Sequence, residues 1–139
     1  GTIPAGALVS LCFSGEYNEH EIRKMLTGHG GFVSLLGTND MREVERRVSE
    51  GDQEAALVLN GFIYRVAKEV GALAAAADGK IDAILLTGGI AHDAKVVQGI
   101  TKKIAWIAPV EVFPGEGELE ALRDAGLRVL RGEELPVEY

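Results

Sequence analysis

Sulfur, basic charge and long apolar runs are all scarce in this chain. Its 139 residues hold one cysteine, Cys12, so no internal disulfide can form and no paired-cysteine metal motif exists. A lone thiol suits a reducing compartment, and a cytoplasmic location is expected. Lysine and arginine number 14 against 21 aspartates and glutamates, a net charge of −7. Binding nucleic-acid phosphates needs the opposite balance, so no nucleic-acid partner is expected. The richest apolar stretch, Val70 to Ala77, follows Lys68-Glu69 and is far shorter than the roughly 20 residues of a membrane span. The opening Gly1-Thr2-Ile3-Pro4 has no basic leader. Neither a membrane anchor nor a secretory signal is expected.

Familiar catalytic signatures are missing too. Gly79-Lys80 is followed by Ile81, so it is no Walker lysine. Gly28, Gly30 and Gly31 do not form a dinucleotide fingerprint after a strand. His20-Glu21 continues as Ile22-Arg23-Lys24, so no zinc-protease pair exists. Zinc hydrolysis, a Rossmann site and a serine nucleophile therefore have nothing specific behind them.

What is present is apolar mass. Hydrophobic residues make up 47%, which excludes a mainly disordered chain. The length suits one domain, and residues 1–139 are read as a single partial domain. The pattern is helix-rich. Residues 4–14 read as a helix with Leu8, Val9, Leu11 and Cys12 on its apolar face, Cys12 as core packing. Asn18 and Glu21 have capping-box spacing before a helix over 18–27, and Asp40 with Glu43 repeats it before a helix ending near Ser49. Phe32 to Leu36 reads as a strand or turn. From about Asp52 to Ala77, Ala55, Leu59, Phe62, Val66, Val70 and Leu73 recur at helical spacing, which predicts a largely buried helix. Gly71 would permit a close neighbour there.

Ile81 to Leu86 is nearly continuous in apolar residues, as a parallel strand covered on both faces is. A helix over 92–104 and a strand over 105–113 follow. A last helix over 117–131 turns Leu119, Leu122, Leu127 and Leu130 inward. Strand, crossover helix and strand make a parallel βαβ unit, hence an α/β fold.

Three places carry candidate chemistry. Thr87-Gly88-Gly89-Ile90 stands at a strand's carboxyl end, where ligands of α/β sheets collect. Missing β-carbons admit a ligand to the backbone, and the next helix offers N–H groups to phosphate. A plain strand-to-helix turn is the alternative. Asp40-Met41-Arg42 reads as an N-cap aspartate with an exposed arginine, or as an arginine directed at a nucleotide. Glu116 and Glu118 are either charges favourable to a helix start or carboxylates held towards a divalent metal. His20 and His29 read as surface residues. His92 is set apart only by the adjoining Gly-Gly turn.

Taken together these segments resemble butyrate kinase, of the acetate kinase group. The resemblance runs through Ile3-Pro4, Cys12-Phe13-Ser14-Gly15-Glu16-Tyr17, Gly37-Thr38-Asn39-Asp40-Met41-Arg42-Glu43-Val44-Glu45, Gly51-Asp52 and Lys68-Glu69-Val70-Gly71. It continues through Ile81-Asp82-Ala83-Ile84-Leu85-Leu86-Thr87-Gly88-Gly89-Ile90, Ile107-Ala108-Pro109-Val110 and Pro114-Gly115-Glu116. It implies transfer of the γ-phosphate of ATP, with magnesium, to a short-chain carboxylate, giving acyl phosphate and ADP. It implies a homodimer, and a helix-rich C-terminal part of an actin-like (ribonuclease H-like) kinase domain.

By the resemblance, Gly88, Gly89, Ile90, Ala91, His92 and Asp93 form the loop that approaches ATP. Asp40 and Arg42 match an aspartate-x-arginine that contacts the nucleotide, and Glu116 or Glu118 a glutamate near the metal. Acetate kinases carry Gly-Glu-Asn where Ala91-His92-Asp93 stand, which favours the butyrate branch. Catalytic residues, the carboxylate pocket and the phosphate loops are expected upstream of residue 1. The rival reading is a nucleotide-binding or dimerisation module without chemistry.

Overall fold

A computed structural model describes residues 3–115 and 117–135, and only the backbone of Glu118 and Leu119. The chain divides into two compact units, Gly1–Asp78 and Gly79–Tyr139.

The first unit is helical: α1 (Ala5–Cys12), α2 (Glu19–Thr27), α3 (Phe32–Leu36), α4 (Met41–Ser49) and α5 (Gln53–Ala76). The capping box that opens α2 forms as the spacing predicts. Asn18 Oδ1 accepts the Glu21 N–H at 3.1 Å and Glu21 Oε2 accepts the Asn18 N–H at 2.8 Å. After α2 the chain turns so tightly that a β-carbon on Gly30 would lie 2.7 Å from the Met25 carbonyl oxygen. Only glycine fits there.

Residues 32–36 are a helix, not the expected strand or turn. Five apolar residues cannot reveal their own period. Here packing decides, since α3 rests on α5 with the Phe32 and Phe62 rings 5.4 Å apart. Gly37 ends the helix in the left-handed conformation, its N–H bonded to the Val33 carbonyl.

Helix α4 also packs on α5, and Val44 is wholly buried. Its second expected capping box does not form. Asp40 Oδ1 takes the Arg42 N–H, and Glu43 pairs with Arg46 at 2.8 Å instead. A nearby arginine outcompetes the reach back to the cap.

The long helix α5 is less buried than its composition suggests. Ala55, Leu59, Ile63 and Ala74 are buried, whereas Leu73 is 69% exposed and Leu57 and Tyr64 are also exposed. Among the described residues no atom beyond the helix lies within 4 Å of a β-carbon placed on Gly71, so the expected close neighbour is not among them. Residues Val9 and Cys12 of α1 are exposed as well, contrary to the core role read for them.

The second unit holds β1 (Ile84–Gly88), a 3-10 turn (Gly89–His92), α6 (Ala94–Ile104), β2 (Val110–Pro114) and α7 (Glu118–Leu130). The two strands pair in parallel, Ile84 opposite Val110 through Gly88 opposite Pro114. The connection through α6 is the expected βαβ crossover, and the helix-rich α/β fold stands. Val96, Ile100 and Ile104 recur every four residues along α6 and are buried with Ala91 and Ala108. Burying one such side chain contributes roughly 1.5–3 kcal/mol.

Two strand expectations need correction. Strand β1 begins at Ile84, later than read, and it alternates between half-buried and exposed residues, with Leu85 61% exposed. It is not covered on both faces. Residues 105–109 lie in the turn before β2, because Pro109 cannot donate to a ladder. In α7, Leu122 and Leu130 are exposed and Leu127 is half-buried, so no inward leucine stripe forms among the described side chains. Leu119 lies outside the described side chains.

Candidate functional site: a glycine cleft and an aspartate–arginine corner

In the second unit both strands end at one corner. The Gly88 N–H donates to the Gly115 carbonyl and the Gly115 N–H to the Gly88 carbonyl, each at 3.1 Å. The phi angles are +81° at Gly88 and +96° at Gly115, a region that side-chain-bearing residues rarely adopt. Among the described residues nothing lies within 4 Å of a β-carbon built on Gly88 or Gly89. A cleft of about 510 Å³ opens there, lined by Thr87, Gly88, Phe113, Pro114, Gly115, Gly117 and Ala121. The bare backbone at this edge admits the close approach of a ligand.

The six residues read as the ATP-approaching loop differ in position. Gly88 closes β1, and Gly89 and His92 are exposed on the turn that follows. Ile90 is half-buried and Ala91 is buried, so the Ala91 methyl serves the core. The His92 ring leans on the corner, its Nε2 3.4 Å from where a Gly115 β-carbon would sit.

The start of α6 corrects one expectation. Its first N–H groups are not all open to phosphate: Asp93 Oδ1 accepts those of Lys95 at 3.0 Å and Val96 at 2.9 Å. The acceptor is itself a carboxylate, which repels an anion. Asp93 Oδ2 is buried with no hydrogen-bond partner among the described residues.

In the first unit Asp40 caps α4 and grips Arg42. Arg42 Nε donates to Asp40 Oδ1 at 3.0 Å and Arg42 Nη2 to Asp40 Oδ2 at 2.8 Å. The Arg42 side chain is 90% exposed. This guanidinium, with its N–H, holds the Asp40 carboxyl below the usual carboxylate range, and the carboxylate in turn raises the arginine pKa. Both local readings of this triplet are compatible with that geometry, a cap and an outward cation.

The metal-side residues fall beyond what is described: Glu116 altogether, and Glu118 in its side chain. Among the described residues no three acidic, histidine or cysteine side chains gather as a metal site. His20 and His29 are exposed, as expected. Thr87 belongs to the strand end that the sequence singles out, whereas Phe113, Gly115 and Gly117 are cleft residues that it does not reveal. The strand register was the available signal, since it sets Thr87 opposite Phe113. Cys12 was also misplaced; it lines a separate cavity of about 390 Å³ with Leu8, Tyr17, Ile22 and Leu26.

Comparison with known proteins gives this geometry a family. The chain is similar in structure to a propionate kinase from Francisella tularensis, with TM-score 0.74, 27% identity and 86% of this chain covered. It is also similar to Porphyromonas gingivalis acetate kinase, with TM-score 0.77, 21% identity and 91% covered. It spans only 36% and 38% of those two chains. Residues 1–109 match the model of the acetokinase family. That stretch includes both the Asp40–Arg42 corner and the Gly88–Gly89 edge, and the chain belongs to the acetokinase family.

Proposed function

We propose that this chain supplies the nucleotide side of a short-chain carboxylate kinase. The reaction moves the γ-phosphate of ATP to butyrate or a related short-chain fatty acid, giving acyl phosphate and ADP. The observation that carries this reading is the open glycine cleft at the carboxyl ends of two parallel strands, in a chain of the acetokinase family. Ligands of open α/β sheets gather at such edges.

The proposed nucleotide contacts are Asp40 and Arg42, and Gly88, Gly89, Ile90, Ala91, His92 and Asp93, with those at Ile90, Ala91 and Asp93 made through the backbone. A carboxylate oxygen attacks the γ-phosphorus as the bond to ADP breaks. Positioning and charge neutralisation supply most of the catalysis in such transfers. Magnesium, when bound, neutralises phosphate charge, and Glu116 and Glu118 are the proposed metal-side carboxylates. A homodimer and a cytoplasmic location belong to the same proposal. The butyrate preference rests on Ala91-His92-Asp93, where acetate kinases carry another triplet.

The test pairs two measurements on the purified chain. Calorimetry with ADP and magnesium should show saturable binding, and that binding should weaken in Gly89→Val, whose side chain fills the open edge. Trapping with hydroxylamine should show no acyl phosphate from ATP and butyrate with this chain by itself, and should show it with a full-length relative. Absence of ADP binding would overturn the proposal. A second reading, nucleotide binding without chemistry, is favoured by the chain spanning little more than a third of the solved kinases. It would win if a longer polypeptide containing these 139 residues bound ADP but phosphorylated no carboxylate.

A further inference from the structure

Helix α1 runs Ala-Gly-Ala-Leu-Val-Ser-Leu-Cys, with Ser10 its one polar side chain, yet among the described residues none of α1 is buried. A helix that is apolar all round is normally covered. Val9 and Phe13 stand one turn apart, the Phe13 N–H donating to the Val9 carbonyl at 3.1 Å. They form an outward ridge, and Phe13 is 87% exposed. Beside the ridge, Leu8 and Cys12 face a groove of about 390 Å³ that Ile22 and Leu26 of α2 also line. Ridge and groove therefore share one helix. A two-fold axis near α1 lets the ridge of each copy enter the groove of the other.

The charges agree with such a pairing. Glu19 and Arg23 border the same groove and pair within α2 at 2.8 Å, largely in solvent, where an ion pair contributes little. With the axis perpendicular to α2, the two copies of α2 run antiparallel. Glu19 of each copy then meets Arg23 of the other, and two isolated pairs become one alternating row. The helix dipole favours acid before base in any helix; here that order also edges an apolar groove. The net charge of −7 opposes self-association through arbitrary surfaces, whereas the charges bordering this groove balance. We propose that the groove between α1 and α2 is the docking surface for a second copy of this chain, with Val9 and Phe13 of each copy seated in the groove of the other. This gives the homodimer of the proposed function its surface, and it rests on that part of the reading, not on nucleotide binding.

Sedimentation equilibrium of the purified chain should show a monomer–dimer equilibrium. Phe13→Lys should raise the dimer dissociation constant about tenfold or more, as loss of a central aromatic anchor does, with helix content unchanged. Leu122→Lys, at an exposed leucine of the second unit, should leave it unchanged. Charge exchange tests the same contact without the ridge. Glu19→Lys makes the border of the groove wholly basic, and Arg23→Glu makes it wholly acidic. Each variant by itself should dimerise about tenfold more weakly, and an equimolar mixture of the two should regain the wild-type affinity. Cys12 is the one thiol of the chain and is exposed in the groove. Its alkylation should slow as wild-type concentration rises through the dimer range and stay constant in Phe13→Lys. A wild-type dimer that Phe13→Lys does not weaken, a mixture no tighter than its components, or a Cys12 that reacts equally fast in monomer and dimer would place the contact elsewhere. Each would overturn the proposal and leave a homodimer standing. A wild type that stays monomeric at every concentration would defeat the homodimer itself, and ADP binding would still decide the nucleotide reading separately.

Discussion

Two aspartate–arginine pairs stand in the first unit, and they differ in what else they hold. Asp52, like Asp40, is an N-cap, its Oδ1 accepting the Ala55 N–H. Its Oδ2 takes Arg47 Nε and Nη2, both at 2.7 Å. Arg47 then spends Nη1 on the Leu36 carbonyl at 2.9 Å, and its side chain is only 25% exposed. The clip joins the end of α3 and the end of α4 to the start of α5. Among the described residues Arg42 has no third partner of that kind, and it is 90% exposed. The same two residue types therefore make a structural clip at one place and an outward-facing cation at the other. What distinguishes them is the third hydrogen bond, not the pair.

Removing the clip should have the largest effect. Arg47→Ala strips a charge-assisted bond from the Leu36 carbonyl and leaves it partly covered. Such bonds contribute about 1.5–3 kcal/mol; the remaining exposure of Arg47 argues for the low end. A fall of several degrees in the thermal midpoint follows, with ADP affinity unchanged at temperatures where the chain is folded. Calorimetric unfolding and titration of this variant measure the two separately. A stable Arg47→Ala protein with weakened ADP binding would reverse the assignment of the two pairs.

Arg42→Ala should give the opposite pattern: ADP affinity down about tenfold and the thermal midpoint held within a degree or so, as for an ordinary surface change. Raising salt should narrow the affinity gap between wild type and variant, because the exposed guanidinium is screened. A loss of stability as large as that of Arg47→Ala would show that Arg42 is structural after all.

Legibility from sequence follows the same division. Caps were legible because their partners are three residues away: Asn18 and Glu21 form the box their spacing predicts. Yet at Asp40 the same spacing misleads, since Arg46 takes the Glu43 carboxylate and Thr38 Oγ1 takes the Asp40 N–H. The Arg47–Leu36 bond spans eleven positions, and no local pattern announces it. The βαβ unit and the Gly88–Gly89 edge were readable from one apolar run and one glycine pair. The cleft walls were not, because Phe113 and Gly115 reach the site only through strand register. Burial was read too generously in α5, α7 and β1, where helical or strand spacing of apolar residues marks a face and does not say what covers it.

The finest contrast between the pairs lies in the titration of their aspartates. Both carboxyls are held below the ordinary carboxylate range, but the leading causes differ. For Asp40 the largest is the Arg42 side chain, followed by the Arg42 N–H; for Asp52 it is the Ala55 N–H, followed by the Arg47 side chain. A carboxyl whose pKa is lower folded than unfolded contributes stability above the unfolded value, and that contribution is lost as pH falls through the folded value. The acid limb of the stability curve should therefore flatten in Asp52→Asn and in Asp40→Asn. Carbon-13 observation of the aspartate carboxyls below pH 5 tells the two apart. In Arg42→Ala the Asp40 pKa should climb most of the way back to the ordinary range, because its main partner has gone. In Arg47→Ala the Asp52 pKa should climb only part of the way, because the Ala55 N–H still binds the carboxylate. A full return of Asp52 in Arg47→Ala would mean that the arginine, not the helix cap, holds that carboxylate ionised, and the two pairs would then be electrostatically alike.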